Sequence, residues 1–576
     1  MEIRIAKDVK VPMRDGVELA TDIYRETDDP RPAVVIRIPY DKDTGIESSE
    51  VLRFLEAGYT VVAQDTRGRF ASDGVFEPFR CEQCDGEDTL AWIARQNWSD
   101  GNVAMIGRSY LGATQWMAAA GDTPTLRAIA PGVTSSAYYD GWTYHGGAFQ
   151  LGFNLLWSLG RLALGEARRG IARGTHMPAD LFSLIAAVDN IAELYQCTPL
   201  TGAADFARIA PYYLEWLNHA TDDDYWRGMA PREHYEQVNV PSLNIGGWYD
   251  IFLGGTLENY RGMADRGGTD SARRSRLIVG PWAHGVSGGE FPSGSFGLAA
   301  SSGIADIVGA QIRFFDHYVR GIENGIENEP PVRIFVMGAN CWRNENNWPL
   351  PDTAYTPYYL SSAGRANGGD GDGVLLSVPA QVDNFDSYLY DPRYPVPTVG
   401  GQTYLPGHML GVNSGPRDRR EIETRPDMLC YSTSTLDEDI EVTGPISLIL
   451  HVCSSALDTD FTGALVDVHP NGRAVILTEG ILRARYRSSA RKPELMRPGT
   501  VYEITLDLLA TSNVFKVGHK IRLEVSSSNF PRFDRNSNTG GVIAEECDAD
   551  FLPALNRILH GPGHQSRLML PVIDRR

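Results

Sequence analysis

The stretch MIGRSYLGATQWMAAAG, residues 105–121, contains an apolar run, a glycine and then a series of small residues. This order is typical of a buried strand that turns sharply into a helix. Ser109 stands at the turn, between Gly107 and Gly112. Such a turn exposes the serine hydroxyl beside the N–H groups of the helix N-terminus, as a nucleophile elbow requires. The usual elbow reads G-x-S-x-G, so by spacing alone a helix-capping serine is an equal alternative.

Short apolar runs alternate with helical patterns on both sides of this turn. Runs that are β-branched and bounded by turns predict buried strands at residues 33–38, 60–65, 103–107, 127–133, 241–250 and 275–284. Helices are predicted up to Gly58, over 86–96 and over 304–321. Strands that alternate with helices predict a parallel sheet covered on both faces, so the fold class is α/β.

Two parts of the chain depart from this alternation. Residues 135–234 are rich in aromatic side chains and lack a clear strand pattern, which predicts a helical cap inserted over the edge of the sheet. After about residue 350, runs such as VYEITLDLL and KIRLEV alternate apolar and polar residues, and Asn471-Gly472 favours a hairpin turn. We predict a catalytic domain of residues 1–134 and 235–350, a cap of residues 135–234, and an antiparallel β-sandwich of residues 351–576.

Two polar residues follow predicted strands at the positions that a serine nucleophile needs. A serine hydrolase requires a base and a carboxylate that orients it, and in α/β-hydrolases these follow the serine in the order Asp or Glu, then His. Asp250 ends the run LNIGGWYD and His284 ends LIVGPWAH. Because the order and the strand-end positions both fit, we predict a triad of Ser109, Asp250 and His284.

An acyl-transfer site also needs two donors for the oxyanion. We expect one to be the backbone N–H of Tyr110, the residue after the nucleophile. The second usually comes from a loop after an early strand, which here reads IRIPYDKDTG and has no glycine tract. Its Tyr40 offers a hydroxyl instead, with a packing tyrosine as an equal alternative.

Several long motifs resemble one known family. QDTRGRFASDGVFEPF, DGEDTLAWIARQNWSDGNVAMIGRSYLGATQW, GGWYD, GPWAH, ALDTDFTGALVDVHPNGRA and EVSSSNFPRFDRNSNTG look like the bacterial cocaine esterase-like hydrolases. Those enzymes are relatives of the Xaa-Pro dipeptidyl-peptidases and the α-amino-acid ester hydrolases. The resemblance spans nearly the whole chain and is weakest in the cap.

The resemblance implies an α/β-hydrolase domain with an inserted helical cap and a C-terminal jelly-roll β domain. It implies a nucleophile motif G-x-S-Y-x-G that fits Gly107 to Gly112, and a triad at Ser109, Asp250 and His284. A tyrosine in a P-Y-D-K-like loop supplies the side-chain oxyanion donor in that family, which corresponds to Tyr40. No cofactor is implied.

The expected substrate is a small-molecule acyl ester, with amides as a second class. Aromatic residues of the cap and nearby strands could line an apolar acyl pocket, with core packing as an even alternative: Trp142, Phe149, Trp157, Phe252 and Trp282. We expect the β domain to help wall the cleft. Alternatives are an Xaa-Pro dipeptidyl-peptidase, which needs an acidic pocket, and an α-amino-acid ester hydrolase, which needs carboxylates near the serine. A non-catalytic carbohydrate-binding protein is the remote alternative.

Composition limits the partners. The net charge of −20 over 576 residues argues against nucleic acid or an anionic membrane as a partner. The start of the sequence does not read as a signal peptide, and the seven cysteines are sparse, so we expect a cytoplasmic protein. A homodimer is a working hypothesis only.

No metal site is predicted. Cys81 and Cys84 form a C-x-x-C pair, but no second pair or close histidines complete a zinc set. His560 and His564 are separated by Gly-Pro-Gly, which excludes a shared helix face, so we expect them at the surface.

Overall fold

The computed structural model describes residues 2–405 and 413–575. The first 134 residues form strands β1 (Arg4–Pro12), β2 (Glu18–Arg25), β3 (Arg31–Ile38), β4 (Thr60–Asp65), β5 (Ser99–Arg108) and β6 (Leu126–Gly132), and helices α1 (Ser48–Glu56), α2 (Glu82–Ile93) and α3 (Tyr110–Ala119). The four strands that the sequence predicts in this part correspond to β3–β6. β1 and β2 have no counterpart in the sequence prediction, because β1 is largely exposed and β2, although mostly buried, includes the polar residues Thr21 and Asp22, so neither carries a continuous apolar run.

Helices dominate residues 135–234, which we call the helical insertion. They follow the short pair β7 (Tyr144–His145) and β8 (Ala148–Phe149), and are α4 (Leu151–Trp157), α5 (Leu164–Ala172), α6 (Pro178–Asp189), α7 (Ile191–Gln196), α8 (Tyr212–Asn218) and α9 (Asp224–Arg227). A π-helical turn, Ser158–Ala163, separates α4 from α5, and 3₁₀ turns cover Leu200–Arg208, Pro231–Glu233 and Tyr235–Gln237. Trp157 stacks on both Phe153 and Trp216, so aromatic rings form the centre of this layer.

The alternation of strand and helix then resumes as the sequence predicts. The elements are β9 (Leu243–Tyr249), α10 (Leu253–Arg266), α11 (Asp270–Arg273), β10 (Arg276–Ala283), β11 (Glu290–Phe291), β12 (Gly294–Ser295), α12 (Ile307–Tyr318), β13 (Val332–Val336) and β14 (Cys341–Glu345). Short 3₁₀ turns cover Leu298–Ala300 and Ile326–Asn328. The helix predicted over 304–321 is present and is shorter at both ends.

Ten strands of this part form one sheet in the order β1-β2-β4-β3-β5-β6-β9-β10-β13-β14. The strands from β4 to β13 in that order run parallel, and the outer strands β1, β2 and β14 are antiparallel to their neighbours. The carboxyl ends of the parallel strands therefore meet at a single edge, where open α/β sheets hold their ligands.

The rest of the chain is antiparallel β structure, again as predicted. It contains β15 (Thr353–Ser361), β16 (Val374–Leu376), β17 (Asn384–Tyr390), β18 (Leu429–Ser432), β19 (Ile440–Ser454), β20 (Asp460–Val468), β21 (Ala474–Arg483), β22 (Tyr502–Phe515), β23 (Lys520–Ser526), β24 (Ala554–His560) and β25 (Arg567–Ile573). Three 3₁₀ turns, Ile422–Thr424, Ala484–Tyr486 and Ile543–Glu545, lie between strands. The predicted hairpin turn at Asn471-Gly472 connects β20 to β21.

The long strand β19 links these strands into one hydrogen-bonded sheet. It pairs with β22 along one edge and with β25 and then β24 along the other. The sequence predicts two separate sheets, whereas the change of partner along β19 makes the ladder of eleven strands continuous. Gly463 of β20 lies against Leu448 of β19 and Leu508 of β22. Since β20 forms backbone hydrogen bonds with β21 and β23 and not with those two strands, this contact shows that parts of the sheet also pack face to face.

A buried charged cluster joins the C-terminal sheet to the helical insertion. Arg483 donates to both Asp460 and Asp534, and Asp534 also accepts the backbone N–H of Phe149 at 2.9 Å. Because all three charged side chains are buried, each needs the others as partners. This cluster fixes the insertion relative to β20 and β21.

His560 differs from its expected surface position. It lies buried at the end of β24, where its Nε2 is 3.1 Å from Asp386. The Gly-Pro-Gly turn that follows ends the strand after this residue rather than exposing it. All seven cysteines are free thiols. Within the described ranges, no helix has both the length and the apolar character needed to cross a membrane.

Candidate active site

Ser109 occupies the turn between β5 and α3, and its backbone is held in an unusual conformation. Its φ is 59° and its ψ is −123°, in a region that non-glycine residues rarely adopt. The Ser109 N–H donates to the Gly132 carbonyl at 2.8 Å, and the Ser109 carbonyl accepts the N–H of Gly112 at 2.8 Å. This turn is the strained strand-to-helix elbow that the sequence suggested, and it raises the serine side chain above the edge of the sheet.

Two glycines make the elbow sterically possible. A Cβ on Gly107, whose φ is +134°, would lie 2.4 Å from Leu111 Cβ. A Cβ on Gly112 would lie 2.8 Å from Thr134 Cβ. Helix α3 therefore passes too close to the loop after β6 for any side chain at residue 112, which explains why this family-type motif has its glycine three residues after the serine.

The pairing of β9 with β10 places Asp250 beside His284. Tyr249 and Ala283 are partners in the parallel ladder, and each is followed directly by one of the two polar residues. His284 Nδ1 lies 2.9 Å from Asp250 Oδ2, and Asp250 Oδ1 accepts the Phe252 N–H at 2.8 Å. The Asp250 carboxylate is fully buried. With Nδ1 engaged, Nε2 is the imidazole nitrogen left to act on Ser109.

Tyr40 lies in the loop after β3 and faces the same site from the helical side. The indole N–H of Trp157 donates to the Tyr40 hydroxyl at 2.8 Å. Since an indole can only donate, the Tyr40 oxygen is the acceptor and its own proton is free for another group. Burial raises the pKa of the Tyr40 phenol above its usual value. The phenol is therefore a neutral donor at physiological pH.

Arg69 holds both partners of the Trp157–Tyr40 contact in place. Its Nε donates to the Pro39 carbonyl at 2.8 Å, directly before Tyr40, and its Nη1 donates to the Leu162 carbonyl at 3.2 Å, in the π-helical turn after Trp157. The guanidinium is almost completely buried. Sequence reasoning did not identify this residue, although it belongs to the quoted stretch QDTRGRF.

The two groups of Tyr110 have separate environments. Its backbone N–H is at the first position of α3, where no intrahelical acceptor exists, so it is available to an oxyanion. Its side chain points away into the core, where the hydroxyl donates to Glu82 Oε1 and accepts the Phe79 N–H, each at 2.9 Å. Burial raises the pKa of Glu82, and Arg37 lies 2.8 Å from its other oxygen.

Ser109, His284 and Tyr40 line one cavity of about 350 Å³. Its walls come from the sheet edge, the helical insertion and the C-terminal part of the chain, and further include Glu47, Arg108, Gly132, Val133, Phe153, Trp157, Arg161, Ile245, Trp282, Ala283, Gly285, Val286, Ser287, Ser302, Ile307 and Tyr404. The volume falls in the range of small-molecule sites. The structure thus brings the predicted triad and Tyr40 together.

The predicted pocket aromatics separate into two groups. Trp157 and Trp282 line the cavity, and the Trp282 indole is tied to the Ala300 carbonyl at 2.7 Å. Phe252 packs edge-on against the His284 ring, and Trp142 stacks behind it at 4.2 Å, so Trp142 supports the wall rather than forming it. Phe149 lies in the core beside Tyr144 and Tyr213, away from the cavity lining.

Tyr404 is a site residue that sequence reasoning missed. It follows the catalytic sheet by more than fifty residues and comes from the C-terminal part of the chain, yet its ring packs edge-on against His284 at 5.1 Å. It also contacts Phe153 of the helical insertion. Nothing in the local sequence marks this tyrosine, because its proximity to the site arises only from domain packing.

The chain is similar to known proteins along nearly its whole length. Two family descriptions match the chain: X-Pro dipeptidyl-peptidase (S15 family) over residues 15–286, and X-Pro dipeptidyl-peptidase C-terminal non-catalytic domain over residues 324–569. The cocaine esterase of Rhodococcus sp. (strain MB1 Bresler) is 44% identical over 581 residues, which cover 99% of each chain. The chain belongs to the cocaine esterase-like serine hydrolases.

Solved structures of other proteins share the fold of this cocaine esterase-like chain over its whole length. An α-amino acid ester hydrolase superposes with a TM-score of 0.80 at 25% identity and covers 99% of this chain and 96% of that chain. An aminopeptidase from the marine sediment archaeon Thaumarchaeota archaeon superposes with a TM-score of 0.84 at 24% identity, over 100% and 97% of the chains. The two family matches together with this fold give the chain an N-terminal S15 catalytic domain of mixed α/β structure and a C-terminal non-catalytic domain.

The separate roles of the Tyr110 backbone and side chain lead to a first prediction. Tyr110→Phe removes a buried donor from Glu82 and leaves the Tyr110 N–H in place, so we expect a loss of about 1–3 kcal/mol in the free energy of unfolding. The kcat for an ester should change by less than about threefold. Thermal or denaturant unfolding and steady-state kinetics on the same preparation measure the two effects. A large fall in kcat at unchanged stability would assign the hydroxyl to the reaction.

Proposed function

We propose that this protein hydrolyses carboxylic esters through an acyl-enzyme formed on Ser109. One observation carries the proposal: Ser109, at its strained turn, and His284 line the same cavity. The Nδ1 of His284 is hydrogen-bonded to the buried carboxylate of Asp250, which leaves Nε2 for the serine. The 44% identity with a cocaine esterase over the full chain supports the same reaction class.

In the proposed mechanism, His284 Nε2 accepts the Ser109 proton while the serine oxygen attacks the ester carbonyl. Asp250 fixes the tautomer through Nδ1 and stabilises the imidazolium that forms. The imidazolium then protonates the leaving alcohol. A water molecule, activated by the same imidazole, attacks the acyl-enzyme, and the acid product leaves with Ser109 regenerated.

Two donors stabilise the oxyanion in both tetrahedral intermediates. The Tyr110 N–H is at the N-terminus of α3, where the helix dipole adds positive potential. The Tyr40 hydroxyl supplies the second hydrogen bond with the proton that its contact with Trp157 leaves free. A phenol fixed in this way requires no reorganisation as charge develops on the substrate oxygen.

The lining of the cavity supports an apolar or aryl acyl group. Phe153, Trp157 and Tyr404 form an aromatic wall near the catalytic imidazole. Arg108 and Glu47 pair with each other at 3.3 Å at the exposed side, so neither presents an uncompensated charge. We assign the acyl group to the aromatic wall, and amides remain a second substrate class.

The peptidase and amino-acid ester alternatives need acidic groups that bind a substrate amine. Glu47 is the one carboxylate among the described residues that line the cavity, and it is paired with Arg108. Arg161 also lines the cavity and carries positive charge that would repel an ammonium group. Both observations favour the esterase over these alternatives.

We further propose roles for the two other parts of the chain. The helical insertion acts as a cap, since it supplies Phe153, Trp157 and Arg161 to the cavity. The C-terminal strands form a jelly roll, which is consistent with the face-to-face packing of Gly463 against Leu448 and Leu508. We place the enzyme in the cytoplasm, because its seven cysteines are unpaired.

The substrate class can be tested directly. We expect p-nitrophenyl esters of aryl or medium-length acyl groups to be hydrolysed with kcat/KM at least about 10²-fold above Gly-Pro-p-nitroanilide, because the cavity offers the dipeptide amine no free carboxylate. Initial rates by absorbance measure both substrates. Preferential cleavage of the anilide would instead assign the chain to the peptidase class.

The nucleophile has its own prediction. Ser109→Ala should lower kcat by at least about 10⁴-fold while leaving the thermal unfolding midpoint within a few degrees, since the hydroxyl faces the cavity and forms no hydrogen bond with another residue in the described ranges. A fluorophosphonate probe should label the wild-type protein at Ser109 and leave the variant unlabelled, as read by mass spectrometry of peptides. Labelling at another serine, or normal turnover by the variant, would remove Ser109 from the mechanism.

Variants of Tyr40, the proposed oxyanion donor, and of Trp157, which binds its hydroxyl, should lower activity to different extents. Tyr40→Phe should lower kcat by about 10²–10³-fold with KM little changed, because the lost bond acts in the transition state. Trp157→Phe keeps an aromatic ring but removes the N–H together with part of the indole, so we expect a smaller fall of about 3–10-fold, near the value of one orienting hydrogen bond. Steady-state kinetics distinguish the two. Equal activity of Tyr40→Phe and wild type would restrict Tyr40 to packing.

A further inference from the structure

A second cluster of chemically active side chains lies in the C-terminal domain, away from the catalytic cavity. Asp467, His469 and His519 bring one donor atom each within 4.8 Å of one another. Neither the proposed mechanism nor the family descriptions assign these residues a role. We propose that this cluster, which we call the rim site, binds one Zn²⁺ ion.

The register of two strands creates the rim site. Asp467 pairs with Ile521 and Val468 with Lys520 in the antiparallel ladder of β20 and β23. One further step along this ladder sets His469 opposite His519, and directly opposed residues share a face of the sheet. His469 follows the last residue of β20 and is two residues after Asp467, so an extended continuation of the strand sets both side chains on that face. All three side chains therefore converge.

Rigid turns hold the two imidazoles. The His469 N–H donates to the Arg473 carbonyl at 2.8 Å, and the His469 carbonyl accepts the Gly472 N–H at 2.9 Å. The His519 N–H donates to the Lys516 carbonyl at 3.0 Å, and its carbonyl accepts the Leu436 N–H at 2.8 Å. Because the backbone on both sides is bonded, the ligands are largely preorganised and little entropy is lost on binding an ion.

The donor atoms are close enough for one ion. His519 Nδ1 lies 2.7 Å from Asp467 Oδ1, and the two imidazole rings have centroids 4.4 Å apart. Bonds of about 2.0–2.2 Å to a tetrahedral zinc place ligand atoms about 3.3–3.5 Å apart, so rotations of the side chains complete the site. No residue in the described ranges forms a hydrogen bond with the His469 ring, which leaves its nitrogens available.

The donor types favour zinc among common divalent ions. Two imidazoles and one carboxylate are ligands that Zn²⁺ accepts readily, whereas Ca²⁺ and Mg²⁺ require oxygen ligands. The ion would take the place of the hydrogen bond between His519 Nδ1 and Asp467, and the neutral imidazole would keep its proton on Nε2. Three protein ligands leave the fourth position to a water molecule.

The surroundings of the rim site indicate a structural role. Arg473, in the same turn as His469, donates to the Ser293 carbonyl at 2.8 Å. Ser293 belongs to the β11–β12 hairpin, which follows His284 in the catalytic domain. A zinc ion that ties the β20–β21 turn to the start of β23 would therefore strengthen the seam between the two domains.

Zinc binding by tag-free protein tests the inference. After treatment with EDTA and dialysis, we expect isothermal titration with ZnCl₂ to show one site, and Zn²⁺ but not Mg²⁺ to raise the thermal midpoint by about 1–3 °C. His469→Ala and His519→Gln should each weaken zinc binding by at least about tenfold, because each removes a ligand. Both variants should retain ester hydrolysis, since neither residue belongs to the catalytic cavity.

His451→Ala serves as the matched control. His451 also lies 3.2 Å from a carboxylate, that of Glu503, and its ring contacts His564, but in the described part of the chain these three do not converge as the rim site does. The control should bind zinc as wild type does. The absence of a wild-type site, or an equal loss in His451→Ala and His469→Ala, would overturn the proposal.

Discussion

The left-handed backbone of Ser109 is the constraint on which the site depends. A non-glycine residue at a φ of 59° costs of the order of 1–3 kcal/mol, and it persists only where the surroundings leave no alternative. Here the pairing of β5 with β6 fixes the Gly132 carbonyl that binds the Ser109 N–H. Gly112 then lets α3 approach Thr134 closely. The parallel ladder thus maintains the strained backbone conformation that presents the Ser109 hydroxyl to the cavity.

Buried polar networks hold the other proposed catalytic groups near this elbow. On one side, Tyr110 donates to Glu82, and Arg37 compensates the Glu82 charge. On the other side, Arg69 bonds to backbone carbonyls beside both Tyr40 and Trp157. An unpaired charge at such depth is costly, so each network is stable only with its geometry intact. Groups from distant parts of the chain therefore keep fixed positions without direct bonds between them.

The sequence predicted the parts of the site that follow from strand order. Ser109, Asp250 and His284 each come directly after a strand, and the edge of a parallel sheet gathers such positions whatever the details of packing. Residues whose place depends on packing between domains were beyond reach. Tyr404 meets His284 only because the C-terminal domain docks there. The rim site was hidden for a different reason, because the β20–β23 ladder that brings His469 near His519 joins strands that are distant in the sequence.

The aromatic residues of the helical insertion show how composition misleads about a pocket. From the sequence, Trp142 and Trp157 are equally good candidates for the pocket lining. In the structure, Trp142 stacks on Phe252 inside the core, while the Trp157 N–H donates to Tyr40. A large ring stabilises either position by burial, so apolar character cannot distinguish them. What separates them is a polar partner at the cavity. In the proposed mechanism Trp157 acts through its N–H, which binds the oxyanion donor Tyr40, and only the packed structure reveals that contact.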